Sequence, residues 1–201
     1  MYKINDLLII NFIGEVMELS VFKRTSEKKS QTKKIRLNDG IPAVIYSMGK
    51  PDENIYVSKL EFNKILRRLK EDRLSVTVFT LKNGNKKQKA LVKDIQYHYT
   101  TYDIIHLDFM ALDDKKPIKV SVPIEYVGTD NCVGVKLGGV LRRVIRKLKV
   151  RCLPKDMPEE FSLDVTSLNM GQSLRLKDIA IPAKVRPIGR MDEVAVVIAK
   201  R

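Results

Sequence analysis

The chain has 201 residues, 44% of them hydrophobic, which is enough to bury one large core or two small ones. Lys and Arg outnumber Asp and Glu by 38 to 24, and a net charge of +14 points to a polyanionic partner. Two cysteines are too few for a disulfide scaffold, their spacing with the two histidines fits no zinc pattern, and no long apolar span or amphipathic basic helix supports a membrane role.

Leu7–Ile13 is apolar but short, and no small-residue cleavage site follows it, so it reads as neither signal peptide nor membrane span. Met17-Glu18-Leu19-Ser20 offers a second translation start directly before the first strand. Residues 1–17 are therefore expected to be an extension or a mis-assigned start.

Leu19–Arg24 alternates apolar and polar residues and predicts a strand. Lys23–Arg36 then carries seven basic residues against Glu27 alone, a sign bias that solubility does not require. It reads as a loop followed by a short helix over Ser30–Leu37, ending near Asn38-Asp39-Gly40. Such an arm suits phosphates. Ile41–Tyr46 is the next strand, with Pro42 expected at an edge or strand end. After a short strand at Ile55–Val57, Ser58 and Glu61 form a capping box for a helix to about Lys70. Its stripe of Phe62, Ile65, Leu66 and Leu69 is expected in the core, and Lys64, Arg67, Arg68 and Lys70 on the surface.

Ser75–Leu81 and Lys86–Asp94 read as strands joined by the turn Lys82-Asn83-Gly84-Asn85. A second hairpin follows over Leu91–Phe109, turning at Thr100–Asp103. A register with His98 opposite His106 and Gln96 opposite Asp108 puts all four on one polar face. Ile95, Tyr97, Leu107 and Phe109 then share the apolar face. The first part of the chain, residues 18–111, is therefore α+β, an antiparallel β-barrel with short helices or a strongly twisted sheet.

Residues 112–117 are charged, aperiodic and end in Pro117, and they read as a linker. The remainder, 118–201, reads as a mostly-β domain. Strands are expected at Ile118–Val127, Leu141–Leu153, Phe161–Val165, Ser173–Leu176 and Val194–Ala199. Residues 113–201 hold 18 basic and 11 acidic residues and residues 1–112 hold 20 and 13, so each half is +7. Gly138-Gly139 lacks the GxxxxGKS/T or GxGxxG context of a phosphate loop, and no serine sits in GxSxG. The His98, His106 and Asp108 trio lacks a nucleophile or a metal-ligand set. No enzyme, cofactor, metal or small-molecule substrate is expected.

Several ordered motifs resemble one family. KKIRLNDGIPAVIYSMGK (Lys33–Lys50), ALVKDIQYH (Ala90–His98) and IIHLDF (Ile104–Phe109) look like bacterial large-subunit ribosomal protein number twenty-five. CVGVKLGGVL (Cys132–Leu141) and the stretch Arg151–Leu168 resemble its long two-domain form, the general stress protein Ctc family. The resemblance covers about residues 18–200. It implies a cytoplasmic, ribosomal protein that binds 5S rRNA and contacts neighbouring large-subunit proteins and rRNA. A free, stress-linked RNA-binding factor is the alternative. RNA-facing positions of the family fall on Lys28, Lys29, Lys33, Lys34 and Arg36 of the arm. They also fall on Tyr46, Gln96, His98, His106 and Asp108. Where the family has arginines, this chain has Lys33 and Lys34, which keep charge but lose the bidentate fork. It also has Tyr97 where the family has an outward arginine, against the apolar-face position that strand alternation predicts.

Overall fold

The computed structural model describes residues 17–25, 29–47, 49, 51–70, 72–84 and 86–200. Residues 1–16, expected as an extension, and Lys28 lie outside the described residues. The chain forms two compact units.

The first unit comprises the described residues up to Arg68, with Val78–Ala90 and Ile95–Ala111. Its strands are β1 (Met17–Lys23), β2 (Gly40–Tyr46), β3 (Glu53–Ser58), β4 (Val78–Asn83), β5 (Lys86–Tyr97) and β6 (Ile104–Ala111). They close a barrel in the order β1-β3-β2-β6-β5-β4. Its helices are α1 (Lys29–Leu37) and α2 (Lys59–Arg68). Alternation does what the strand period requires: Leu19 and Val21, Ile41, Ala43 and Ile45, Ile55 and Val57, and Leu107 and Phe109 are all buried. Phe62 of α2 stacks on Phe79 at 6.2 Å, and Phe79 meets Phe109 edge-on at 6.2 Å. This aromatic chain fills the barrel.

The barrel with short helices matches expectation, but two of its seams are parallel: β1 with β4 and β2 with β6. Pro42 lies inside β2 rather than at its start. β3 pairs from Gly40 but β6 only from Ala43, so Pro42 falls where β2 has a neighbour on one side. The strand expected from Ser75 begins at Val78, because Arg73–Ser75 form a 3-10 turn. Of the α2 stripe only Phe62 is fully buried; Ile65, Leu66 and Leu69 are half-buried. The Glu61 carboxylate, read as a partner for Ser58, accepts the Ser20 N–H at 3.3 Å.

The second unit comprises Leu69–Thr77, Leu91–Asp94 and the described residues from Leu112 onward. Its strands are β7 (Ile118–Val127), β8 (Val140–Arg143), β9 (Lys147–Cys152), β10 (Phe161–Asp164), β11 (Ser173–Arg175), β12 (Arg186–Pro187) and β13 (Val194–Ala199), with a short α3 (Val133–Lys136). They form a four-stranded sheet, β10-β7-β9-β12, and a three-stranded sheet, β11-β13-β8. The long strand expected over Leu141–Leu153 is therefore two strands in different sheets. The chain turns at Val144 and Ile145, whose N–H groups both donate to Ala195 C=O. Within this unit Ser75 Oγ donates to Ser121 C=O at 2.7 Å and Lys147 pairs with Asp72 at 2.8 Å. Cys132 and Cys152 are free and buried, and burial pushes the Cys152 thiol pKa up.

Candidate nucleic-acid interface

Helix α1 is fully solvent-facing on its basic side: Lys29, Lys33, Lys34 and Arg36 are exposed and none of its residues is buried. Two features hold so polar a helix on the barrel. Gly40 is the first: a Cβ there would lie 2.6 Å from Ile35 Cγ2 and 3.0 Å from the Ile35 carbonyl oxygen. Only glycine admits Ile35 so close to β2. Arg36 is the second, donating from Nε and Nη2 to Ile105 C=O on β6 at 3.3 and 3.0 Å. The helix stops where Asn38 N–H closes on the carbonyls of Lys34 and Ile35 and Asp39 takes φ 52°. Arg24, at the end of β1, donates to Ile55 C=O at 2.9 Å and to Asn54. Its pKa is drawn down first by burial and then by the charge of Arg36, so a second cation stands close to the helix.

Next to α1, β2 and β6 present their outward residues. Val44 is paired with Asp108, and Tyr46 with Met110. Leu107 and Phe109 point into the barrel, so His106 and Asp108 face out, as alternation requires. His106 Nδ1 lies 2.7 Å from Asp108 Oδ1. The pair is at ion-pair distance but off the line of a hydrogen bond, so Nδ1 has no aligned partner. Tyr46 Oη donates to Asp108 Oδ2 at 3.5 Å. Burial, then the charges of Asp108 and Asp52, raise the Tyr46 pKa, which keeps the hydroxyl a donor. Tyr46, Asp108 and His106 therefore form one row of donors and acceptors, directly beside the helix that Arg36 ties to β6.

His98 and Gln96 do not join that row as expected. The hairpin closes on His98 itself, whose N–H donates to Asp103 C=O at 2.7 Å and whose C=O accepts from Tyr102 N–H at 2.9 Å. His98 thus stands opposite Asp103, not His106. His98 Nδ1 accepts the N–H groups of Thr100 and Thr101 at 3.4 Å, and its ring stacks on Tyr99 at 4.9 Å. Tyr97 is 51% exposed. The strand-alternation reading of Tyr97 is corrected in favour of the outward position. Gln96 is exposed as well.

Sequence reasoning missed the loop tip. Tyr99 and Tyr102 are 88% and 78% exposed, and Lys59 of α2 fastens the tip through Asp103 at 2.7 Å. The run YHYTTY carried the signal, because two tyrosines in a turn, next to Tyr97 at the strand end, have no core to enter. Among the described residues no cluster of His, Cys, Asp and Glu could hold a metal ion, and no helix is long and apolar enough to cross a membrane.

Comparison with known proteins adds three findings. Residues 19–109 match the model of the ribosomal L25p family, and residues 117–201 match the C-terminal domain of ribosomal protein TL5. The chain is 52% identical to the large ribosomal subunit protein bL25 of Chlamydia trachomatis serovar A, over 92% of its own length and all of that relative. It is 50% identical to the protein of the same name in Chlamydia muridarum and 49% identical to that in Chlamydia pneumoniae, with the same coverage.

Proposed function

The chain belongs to the ribosomal L25p family, and we propose that it binds 5S rRNA in the large ribosomal subunit through its first unit. As a family member it is a structural, non-enzymatic protein of the cytoplasmic ribosome. In this reading residues 18–111 are the RNA-binding domain, 112–117 the linker and 118–201 a second domain.

One observation supports the reading above the others: the basic face of α1 and the Tyr46–Asp108–His106 row are joined by Arg36 on Ile105 C=O. Lys29, Lys33 and Lys34 neutralise phosphates and supply most of the affinity, as does Lys28 in the same basic run. A-form RNA offers a wide, shallow minor groove of base edges and 2′-hydroxyls. His106, Asp108 and Tyr46 meet those groups, with Gln96 and the turn residue His98 along the hairpin. The helix positions the duplex and the row reads it.

Filter binding of 5S rRNA over a salt series tests this. Lys33→Ala should weaken binding and lower the log–log salt slope by about 1. His106→Ala should weaken binding with the slope unchanged, since it removes a groove contact rather than a phosphate contact. Wild-type affinity in both variants would rule the surface out.

A further inference from the structure

We propose that the exposed face of the four-stranded sheet in the second unit is a separate polyanion site that takes the sugar–phosphate backbone of an RNA duplex. Along β9, Leu148, Val150 and Cys152 point into the core, while Lys147, Lys149 and Arg151 point out. The sheet register decides what those cations face. Arg151 stands directly opposite Lys119 of β7 on one side and Arg186 of β12 on the other. All three are exposed. Three cations thus lie in one line across three strands, at a strand spacing of about 4.8 Å. Lys149 stands one row further on, opposite Ser121.

Like charges directly opposite one another in a sheet are destabilising. A fold under no other demand would place an acid in the row. This one places its acids elsewhere. Glu125 and Asp164 sit on the β7–β10 side of the same sheet, and Asp72 pairs with Lys147 at the end of β9. Among the described residues Lys119, Lys149, Arg151 and Arg186 make no ion pair. The row therefore costs stability in the free protein and repays it only against a ligand of regularly repeated negative charge. A nucleic-acid backbone running across the strands supplies that. A protein carboxylate would satisfy one cation and leave its neighbours opposed. The choice of RNA rests on membership of a ribosomal family and not on the 5S surface of the first unit.

The test uses the full chain and a labelled RNA duplex of about 16 base pairs with no 5S sequence, offered to free protein and to protein saturated with 5S rRNA. The variant is Lys119→Gln/Arg151→Gln/Arg186→Gln. Its log–log salt slope for the duplex should fall by about 2 to 3, and it should fail to bind the duplex on the 5S complex while still binding 5S rRNA. Without RNA at low salt it should melt at the wild-type temperature or above. Failure of wild type to bind 5S rRNA would count against the first-unit surface alone, because the duplex arm on free protein is still read. An unchanged duplex slope, or a lower melting temperature in the variant, would overturn the proposal. So would unchanged duplex binding together with loss of the variant from large subunits, which would assign the row to an acidic protein face.

Discussion

The two halves of the chain carry the same net charge, +7 each, and organise it oppositely. In the first unit the cations sit mostly on α1, α2 and the start of β5, and among the described residues acids pair with three of them. Lys82 and Lys87 share Glu18, and Lys59 holds Asp103. Helical side chains fan out at about 100° per residue, so neighbours in sequence diverge in space and adapt to a curved backbone. In the second unit the cations sit on a strand, and the sheet sets them in fixed rows. Equal net charge therefore describes an adaptable clamp in one half and a rigid strip in the other.

The interiors differ too, and the largest expected effect lies there. The barrel is filled by the chain Phe62–Phe79–Phe109, whereas Val and Leu dominate the second unit's sheets. Phe79 is fully buried between the other two rings. Phe79→Ala should cost about 3–5 kcal/mol, through lost transfer energy and a cavity the closed barrel cannot collapse around. Urea unfolding followed by amide protection on β2 and β6 would measure it. A loss near 1 kcal/mol would mean that the barrel relaxes and that the contrast between the two cores is weaker than their side chains indicate.

Gly40→Ala should act on the clamp and not on the strip. The added methyl would meet Ile35 at 2.6 Å, so α1 must shift or Ile35 must leave its seat. Overpacking of this kind costs about 1–3 kcal/mol. Because α1 carries Lys33 and Lys34, 5S rRNA affinity should fall about tenfold or more, equivalent to roughly 1.4 kcal/mol. Duplex binding by the second unit should be unaffected. Equal loss in both assays would show that the two surfaces are not separable.

How much of this was legible follows the same divide. The basic run Lys23–Arg36 announced itself, because a run is a property of sequence alone. So did the outward His106 and Asp108, since alternation along one strand needs no knowledge of its partner. The Lys119–Arg151–Arg186 row was not legible: K-L-K-V-R-C reads as an ordinary half-buried strand, and its like-charged partners lie 32 and 35 positions away, brought level only by register. Register also explains the misplacement of His98. The hydrophobic pattern of two strands permits more than one turn. Here His98 closes the turn through its own backbone and side chain, with Tyr102 at φ 55°, a local chemistry that alternation cannot see. The break between β8 and β9 was hidden for a related reason, since an unbroken run of strand formers does not show which sheet each half will join.

The smallest expected effect concerns how the hairpin tip is held. The Asp103 carboxyl accepts from Lys59, and this hydrogen bond, followed by that from Thr101 and the charge of Lys59, holds its pKa below the ordinary 3.8. A carboxyl with a depressed folded pKa contributes stability above its unfolded value and loses it as pH falls through the folded one. The tether is therefore intact at neutral pH and released only below pH 3.8. Both partners are partly exposed, so screening keeps its contribution small and salt-dependent. The protection factor of the Tyr102 amide, whose N–H reports closure of the turn, should fall on acidification in the wild type once the intrinsic pH dependence of exchange is removed. Asp103→Asn should exchange faster at neutral pH and lose the acid-dependent step. If Asp103→Asn retained that step, the tip would be held by something other than Lys59. The ion pairs of the first unit would then balance charge without positioning the tyrosines of the tip.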